Sequence, residues 1–243
     1  MKKNLLFLLL SLSLLGCNNK ENHGEIRFAI SADYPPFEYQ ERGKFKGFDI
    51  DLANLIAKKL GRVAIFNNMQ FATIFPALRN NLVDAAISTF TITKERQLNF
   101  DFSLPYYDDS VAIIFSKENP ITNKTQLVGK KIACQLGTTM EVWLKNQHIV
   151  DATIVVMDSS NQVVESVKSG NVDVGIIDAI QAATFSSKKP SLNYTIIAKS
   201  NIGYGIVFKK GSPLKDRINE ILESLIIEGA IKELQQKWLN GIS

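Results

Sequence analysis

Cysteine and histidine are scarce, with two of each in 243 residues. Two cysteines exclude a disulfide-rich scaffold and a cysteine-built zinc site. Two histidines, His23 and His148, leave little for a histidine metal centre or a nucleophilic triad. Charge of one sign is also lacking. The formal net charge is +4 with little clustering, which argues against nucleic acid as a partner. The motifs G-x-S-x-G, H-E-x-x-H, G-x-G-x-x-G and the Walker loop are missing, so the chemistries they serve have no anchor. No catalytic residue, metal site or cofactor is expected. What is present is 45% hydrophobic and 21% charged residues, ordinary for a folded chain of one large or two small domains.

The long apolar run is confined to Leu5–Leu15. At about 11 residues it is too short to span a bilayer as a helix. Lys2 and Lys3 precede it, so it reads as an export signal. The run ends in Gly16-Cys17, which resembles the bacterial lipoprotein cleavage box, where cleavage frees the cysteine to carry lipid. Residues 1–16 are therefore read as the signal, Cys17 as the lipidation site and residues 17–24 as a polar tether. Cys134 sits in the apolar run Lys131–Cys134 and reads as a buried, inert thiol.

Beyond the tether the pattern alternates. Glu25–Ile30 reads as a strand, Gly47–Leu60 as a helix, Val63–Phe66 as a strand, Phe71–Leu78 as a helix and Val83–Ser88 as a strand. The alternation recurs with strands at 131–135, 152–157 and 172–177 and helices at 139–147 and 161–169. Such alternation predicts mostly parallel sheets with helices on their faces. Asp84 and Asp173 stand just inside corresponding strands of the two blocks and read as structural caps. The fold expected is α/β, with two lobes rather than one large sheet. Lobe 1 takes residues 24–111 and 203–243, and lobe 2 takes residues 112–202. The chain crosses between them twice, which permits a hinge and makes the interlobe cleft the natural ligand site.

Several residues stand where such a cleft would be. Thr93 reads as a helix N-cap, placing Arg96 in the first turn beside the hydroxyls of Ser88, Thr89 and Thr91. An arginine there can clamp a carboxylate with two parallel hydrogen bonds. Its bland alternative is a surface ion pair. In lobe 2, Gln135-Leu136-Gly137-Thr138-Thr139 leads from a strand into a helix, and Thr138 with Glu141 fits a capping box. Free N–H groups at that helix start suit an anion. Asp178 ends a strand at its carboxyl side, where open α/β folds bind ligands, and can accept from an ammonium group. Tyr34 and Phe71 follow lobe 1 strands and can wall a side chain.

Together these pieces resemble the extracellular solute-binding proteins of bacterial ABC importers, in the polar amino acid group. The matching segments are YPPFE at 34–38, GFDIDLA at 47–53, ISTFTITKERQLNFDFSLPYY at 87–107, QLGTT at 135–139, GNVDVGIID at 170–178, GYGIVFKKGS at 203–212 and QQKW at 235–238. The resemblance implies the type II periplasmic binding protein fold, with a two-stranded hinge and no enzymatic activity. It implies that Arg96 binds the ligand carboxylate with Thr91 and Thr139. Asp178 and the Thr89 carbonyl would take the ammonium. Tyr34 and Phe71 would flank the side chain, Ser88 and Gln135 would face its distal end, and Phe90 would lie in the same wall. Basic amino acid binders of this family often carry an acid where this chain has Ser31. Asp33 and Glu38 stand nearby with their direction open, and Ser31 with Gln135 suits an amide. Arginine is the first expectation, with glutamine, cystine or another polar amino acid as alternatives. An arogenate or prephenate dehydratase on the same scaffold, or a sensory lipoprotein, are the rival functions. The implied partners are a permease dimer with its cytoplasmic ATPase, and the membrane through the lipid. A monomer in the periplasm or on the outer face of the cell membrane is expected.

Overall fold

The computed structural model describes residues 24–108, 110–199 and 203–240. The segments expected to be an export leader and tether, with the expected lipidation site Cys17, lie outside the described residues as far as His23. The chain opens with β1 (Glu25–Ile30) and a small three-stranded sheet of β2 (Asp33–Tyr34), β3 (Glu38–Glu41) and β4 (Lys44–Lys46). Then follow α1 (Phe48–Lys59), β5 (Val63–Asn68), α2 (Phe71–Arg79), β6 (Ala85–Ala86), α3 (Lys94–Gln97) and β7 (Phe100–Phe102). The second block holds β8 (Ser110–Ser116), a 3-10 turn at Lys124–Leu127, β9 (Lys131–Gln135), α4 (Thr139–Gln147), β10 (Thr153–Met157), α5 (Ser160–Lys168), β11 (Val174–Asp178), α6 (Ala179–Lys188) and β12 (Leu192–Lys199). β13 (Val207–Lys209), α7 (Leu214–Ile227) and α8 (Ala230–Leu239) complete it.

Two five-stranded sheets form, in the orders β5-β1-β6-β13-β7 and β10-β9-β11-β8-β12. In each, a parallel trio is continued by an antiparallel strand. That fourth strand, β13 or β8, is in both cases the first strand after the chain has crossed from the other sheet. The two aspartates expected to act as caps do the same job twice. Asp84 accepts from the Arg27 N–H at 2.8 Å and Asp173 from the Lys131 N–H at 2.7 Å, each pinning the neighbouring parallel strand. Asp84 also holds the Arg27 guanidinium.

The expected strand over Val83–Ser88 is shorter, pairing formally only at Ala85–Ala86. Asp84 and Ile87 still donate to β1 carbonyls, after which the backbone turns off the sheet into the cleft. Thr89, with φ of 47°, makes that turn in the left-handed region. Where the lobes join, Tyr204 donates to the Tyr107 carbonyl at 2.7 Å and Tyr106 to the Tyr204 carbonyl at 2.9 Å. Beyond, β8 and β12 pair antiparallel as far as Ser110 and Lys199. The two chain segments therefore run side by side on either side of the crossing. Cys134 is a buried free thiol, and burial pushes its pKa up to about 12, so it is inert toward oxidation and alkylation.

The start of α1 is held by the YPPFE segment. Phe48 and Asp49 donate their N–H groups to the carbonyls of Pro36 and Phe37 at 3.0 and 2.9 Å. Two donors that a helix start leaves unpaired are thus satisfied by backbone. Gly47 makes this approach possible. Its φ is 128°, and a Cβ there would stand 2.0 Å from the Phe37 carbonyl oxygen.

Among the described residues no helix is long and apolar enough to cross a membrane. Among them, too, no group of three or more His, Cys, Asp or Glu side chains is placed to hold a metal ion.

Candidate functional site

The lobes meet over a cleft. Strand ends and helix starts of both sheets build its walls. Tyr34, Phe71, Ser88, Thr89, Thr91 and Arg96 line it from lobe 1, and Gln135, Thr139 and Asp178 from lobe 2. Phe90 does not line it. Its ring is fully buried, stacked on Phe71 with centroids 4.7 Å apart, so it backs the wall rather than facing a ligand.

Arg96 brings a half-buried cation to the cleft lining. Thr93 caps α3 as expected, accepting from the Arg96 N–H at 3.2 Å. This fixes the backbone from which Arg96 reaches inward. Its guanidinium donates to the Thr91 carbonyl at 2.8 Å and, across the cleft, to the Gly137 carbonyl at 3.0 Å. The rings of Phe75 and Phe90 lie 5.2 and 5.7 Å from it. Burial pulls its pKa down to about 10, against the upward pull of Asp178. Carbonyls and ring faces stabilise a guanidinium less than a carboxylate does, so this group is poised for an anionic partner.

Lobe 2 approaches closely here. A Cβ on Gly137 would stand 3.3 Å from the Ala72 Cα. Thr138 caps α4 by accepting from the Glu141 N–H at 3.3 Å. The box differs from expectation in its second bond. The Glu141 carboxylate accepts from the Gly137 N–H at 2.7 Å, because Gly137, at φ of 81°, turns that donor toward the helix. Asp178 ends β11, is buried, and accepts from the Tyr34 hydroxyl across the cleft. The side chain of Asn161 reaches the Asp33 carbonyl at 3.2 Å.

The lining is acidic elsewhere. Asp33 and Glu38, whose direction the sequence left open, both turn into the cleft. Asp33 accepts from the Ser31 hydroxyl at 3.2 Å, and burial raises its pKa to about 6. Glu38 is 1% exposed and accepts from the Ser88 hydroxyl. Burial, then the neighbouring Asp49, push its pKa well above the usual carboxylate range. Asp49 lies behind it, fully buried, accepting from the Thr89 N–H and the Tyr106 hydroxyl, both at 3.0 Å. Burial pushes Asp49 up to about 7.

Asp49 carried no signal in the sequence, since an acid in a helix first turn reads as a dipole partner. Thr138, Met140, Ser160 and Gln181 also line the cleft unannounced. Ser160 and Gln181 begin helices at carboxyl ends of strands, so the rule that found Asp178 reaches them too. Gln181 donates to the Ser160 hydroxyl at 2.8 Å.

The acidic lining has a consequence for stability. An acid whose pKa rises on folding binds its proton more tightly in the folded state. Its stabilisation is complete below the unfolded carboxyl range near pH 4, and is lost as pH rises through about 6 for Asp33 and about 7 for Asp49. Asp84 works the other way, its pKa lowered by Arg27, and its contribution fades only in stronger acid. Ligand-free protein is therefore expected to melt several degrees higher near about pH 5 than near about pH 7.5. A melting temperature that climbs across that interval in scanning calorimetry would count against the buried acids.

The model of the bacterial extracellular solute-binding proteins, family 3, matches residues 26–241. The chain belongs to this family. As a family 3 member it is 31% identical over 255 residues to the arginine-binding extracellular protein ArtP of Bacillus subtilis (strain 168), covering 99% of each. It is 30% identical over 220 residues to the putative ABC transporter arginine-binding protein 2 of Escherichia coli (strain K12), covering 88% of this chain and 90% of the relative. Its structure aligns with an ancestral arginine-binding protein bound to arginine at a TM-score of 0.86 and 36% identity, over 89% of this chain and 98% of the other. The two sheets, their shared order and the interlobe cleft are thus those of the type II periplasmic binding fold, as expected for a family 3 protein.

Proposed function

We propose that this protein captures a cationic L-amino acid, arginine first, and hands it unchanged to an ABC importer. One observation carries the reading. One cleft is lined by Arg96, on which Asp178 is the carboxyl that acts, and by two further acids, Asp33 and Glu38. An α-amino acid with a basic side chain presents the complementary set of charges. The arginine-binding relatives support the same assignment.

Arg96 takes the α-carboxylate, with Thr91 and the start of α4 at Thr139. Asp178 and the Thr89 carbonyl take the ammonium. Tyr34 and Phe71 flank the side chain, and Ser88, Gln135, Glu38 and Asp33 meet its distal end. Lobe 1 binds first and lobe 2 closes over the ligand. The bonds Arg96–Gly137, Tyr34–Asp178 and Asn161–Asp33 already join the lobes and act as the closing contacts. The lobes divide where the chain crosses, between Tyr107 and Ser110 and again between Lys199 and Gly203, just before the expected 111–112 boundary, and these crossings serve as the hinge. The closed monomer docks on a permease dimer driven by a cytoplasmic ATPase. Cys17 carries the lipid that holds it to the periplasmic or outer face of a membrane.

A thermal-shift screen of the purified protein against the common amino acids, ornithine, citrulline and cystine tests this. A ligand that binds only the folded state raises its melting temperature by mass action. The largest shift is expected with arginine, followed by lysine or ornithine. A shift confined to glutamine or cystine would keep capture and overturn the charge preference. Turnover of arogenate or prephenate would overturn capture without chemistry.

A further inference from the structure

The acidic lining of the cleft holds more carboxyl groups than a single cation needs. Glu38 faces the ligand space and Asp49 sits behind it, both shielded from solvent. The two carboxyls are near enough to act on each other's charge. Glu38 Oε2 and Asp49 Oδ1 are buried without an N–H or O–H partner, although the other oxygen of each is well served. Two carboxylates cannot hydrogen-bond each other unless one carries a proton. A proton shared by the pair would give both buried oxygens the partner they lack.

We propose that Glu38 and Asp49 share one proton when the cleft is empty or holds a neutral side chain, and that a cationic side chain expels this proton to solvent. Asp49, which does not line the cleft, thereby becomes a specificity-determining positioning residue. The protonated pair can donate to an amide or ureido oxygen. The deprotonated pair is an acceptor for a guanidinium. Selectivity between cationic and neutral ligands then follows pH. This rests on the arginine reading above.

The groups facing the pair come from each element packed on it. Asp33 stands on β2, the Ser88 hydroxyl and Thr89 N–H follow β6, and the Tyr106 hydroxyl follows β7. On α1 the next acid, Asp51, points away to Lys237 and Trp238. The raised pKa values of Glu38 and Asp49 agree with a retained proton, burial being the main cause. Asp33 titrates separately near about 6 and needs its own control.

Calorimetric titration with arginine in two buffers of different ionisation enthalpy counts the protons released. About one is expected near neutral pH, with Kd weakening about tenfold per pH unit toward acid. Citrulline, neutral and nearly isosteric, should release none, so the arginine-to-citrulline preference should fall with acid. Asp49→Asn keeps an oxygen for Thr89 and Tyr106 and offers its NH2 to Glu38. It should still bind arginine while proton release disappears. Asp33→Asn should leave the Asp49-dependent release in place. If Asp49→Asn fails to fold, the wild-type proton count and a changed pH profile in Tyr106→Phe decide. Arginine binding without proton release and with a flat pH profile overturns the proposal and leaves the arginine reading standing. No arginine binding at any pH overturns both.

Discussion

Arg96→Ala is expected to weaken arginine binding by more than about 2 kcal/mol, at least about thirtyfold in Kd. The reason lies in what the variant leaves behind. In the closed cleft the ligand carboxylate would be buried without its charged partner, and the full desolvation cost of that anion would fall on binding. The variant should fold normally. Arg96 is held by two carbonyls and two ring faces, and burial lowers its pKa to about 10, so the fold bears a cost for keeping it charged. Ligand-free Arg96→Ala should therefore melt at or above the wild-type temperature. Arg96→Lys keeps the charge but loses the fork, and should recover only part of the affinity. Titration calorimetry and a melting curve together check this. Near-wild-type affinity in Arg96→Ala would remove Arg96 from the carboxylate site. Lost affinity together with a large drop in melting temperature would make Arg96 structural instead.

Gly47→Ala is expected to be the most damaging small substitution in the described fold. The added Cβ would lie 2.0 Å from the Phe37 carbonyl oxygen and 2.9 Å from the Glu38 nitrogen, in a backbone region that L residues rarely enter. Strain of that kind costs about 1–3 kcal/mol before any atom moves. Relieving the contact then means shifting the Phe37–Glu38 peptide, which breaks the bonds that hold the start of α1. A loss of about 4 kcal/mol or more corresponds to roughly 8–16 °C in melting temperature for a chain of this size. Glu38 would move with its peptide, so any folded fraction should also lose arginine affinity. Gly43→Ala is the control. It too has positive φ, at 77°, but its Cβ would meet nothing within 4 Å, so only the backbone strain remains. Equal melting temperatures for the two variants would show that the close approach at Gly47 costs little.

The alternation of strands and helices was legible because each element carries its own period. Strand 131–135 and helix 139–147 fall where the apolar spacing places them. Thr93 and Thr138 were readable as caps because a hydroxyl before a helix start has a local job. Asp84 and Asp173 were readable as a pair because they repeat. What escaped depends on direction across long separations. Whether Glu38 points inward is decided by Asp49 on α1 and by Ser88, fifty residues along the chain. Phe90 alternates out of the wall because Thr89, in the left-handed region, turns the backbone just before it. Neither fact has a local sequence signature.

β13 fills the gap between β6 and β7, yet it is made only after every strand of the second sheet. The second sheet draws its strands from one unbroken stretch, residues 110–199, and waits for nothing else. When the chain emerges amino end first, lobe 2 can be complete while lobe 1 is still open. Bringing β13 back closes a loop of roughly a hundred residues, a slow, non-local step. Until then β6 and β7 expose unpaired edges to any other strand nearby. Lobe 1, which carries Arg96, is thus the late-folding half, and the interval before β13 docks is when the newly made chain is most open to aggregation.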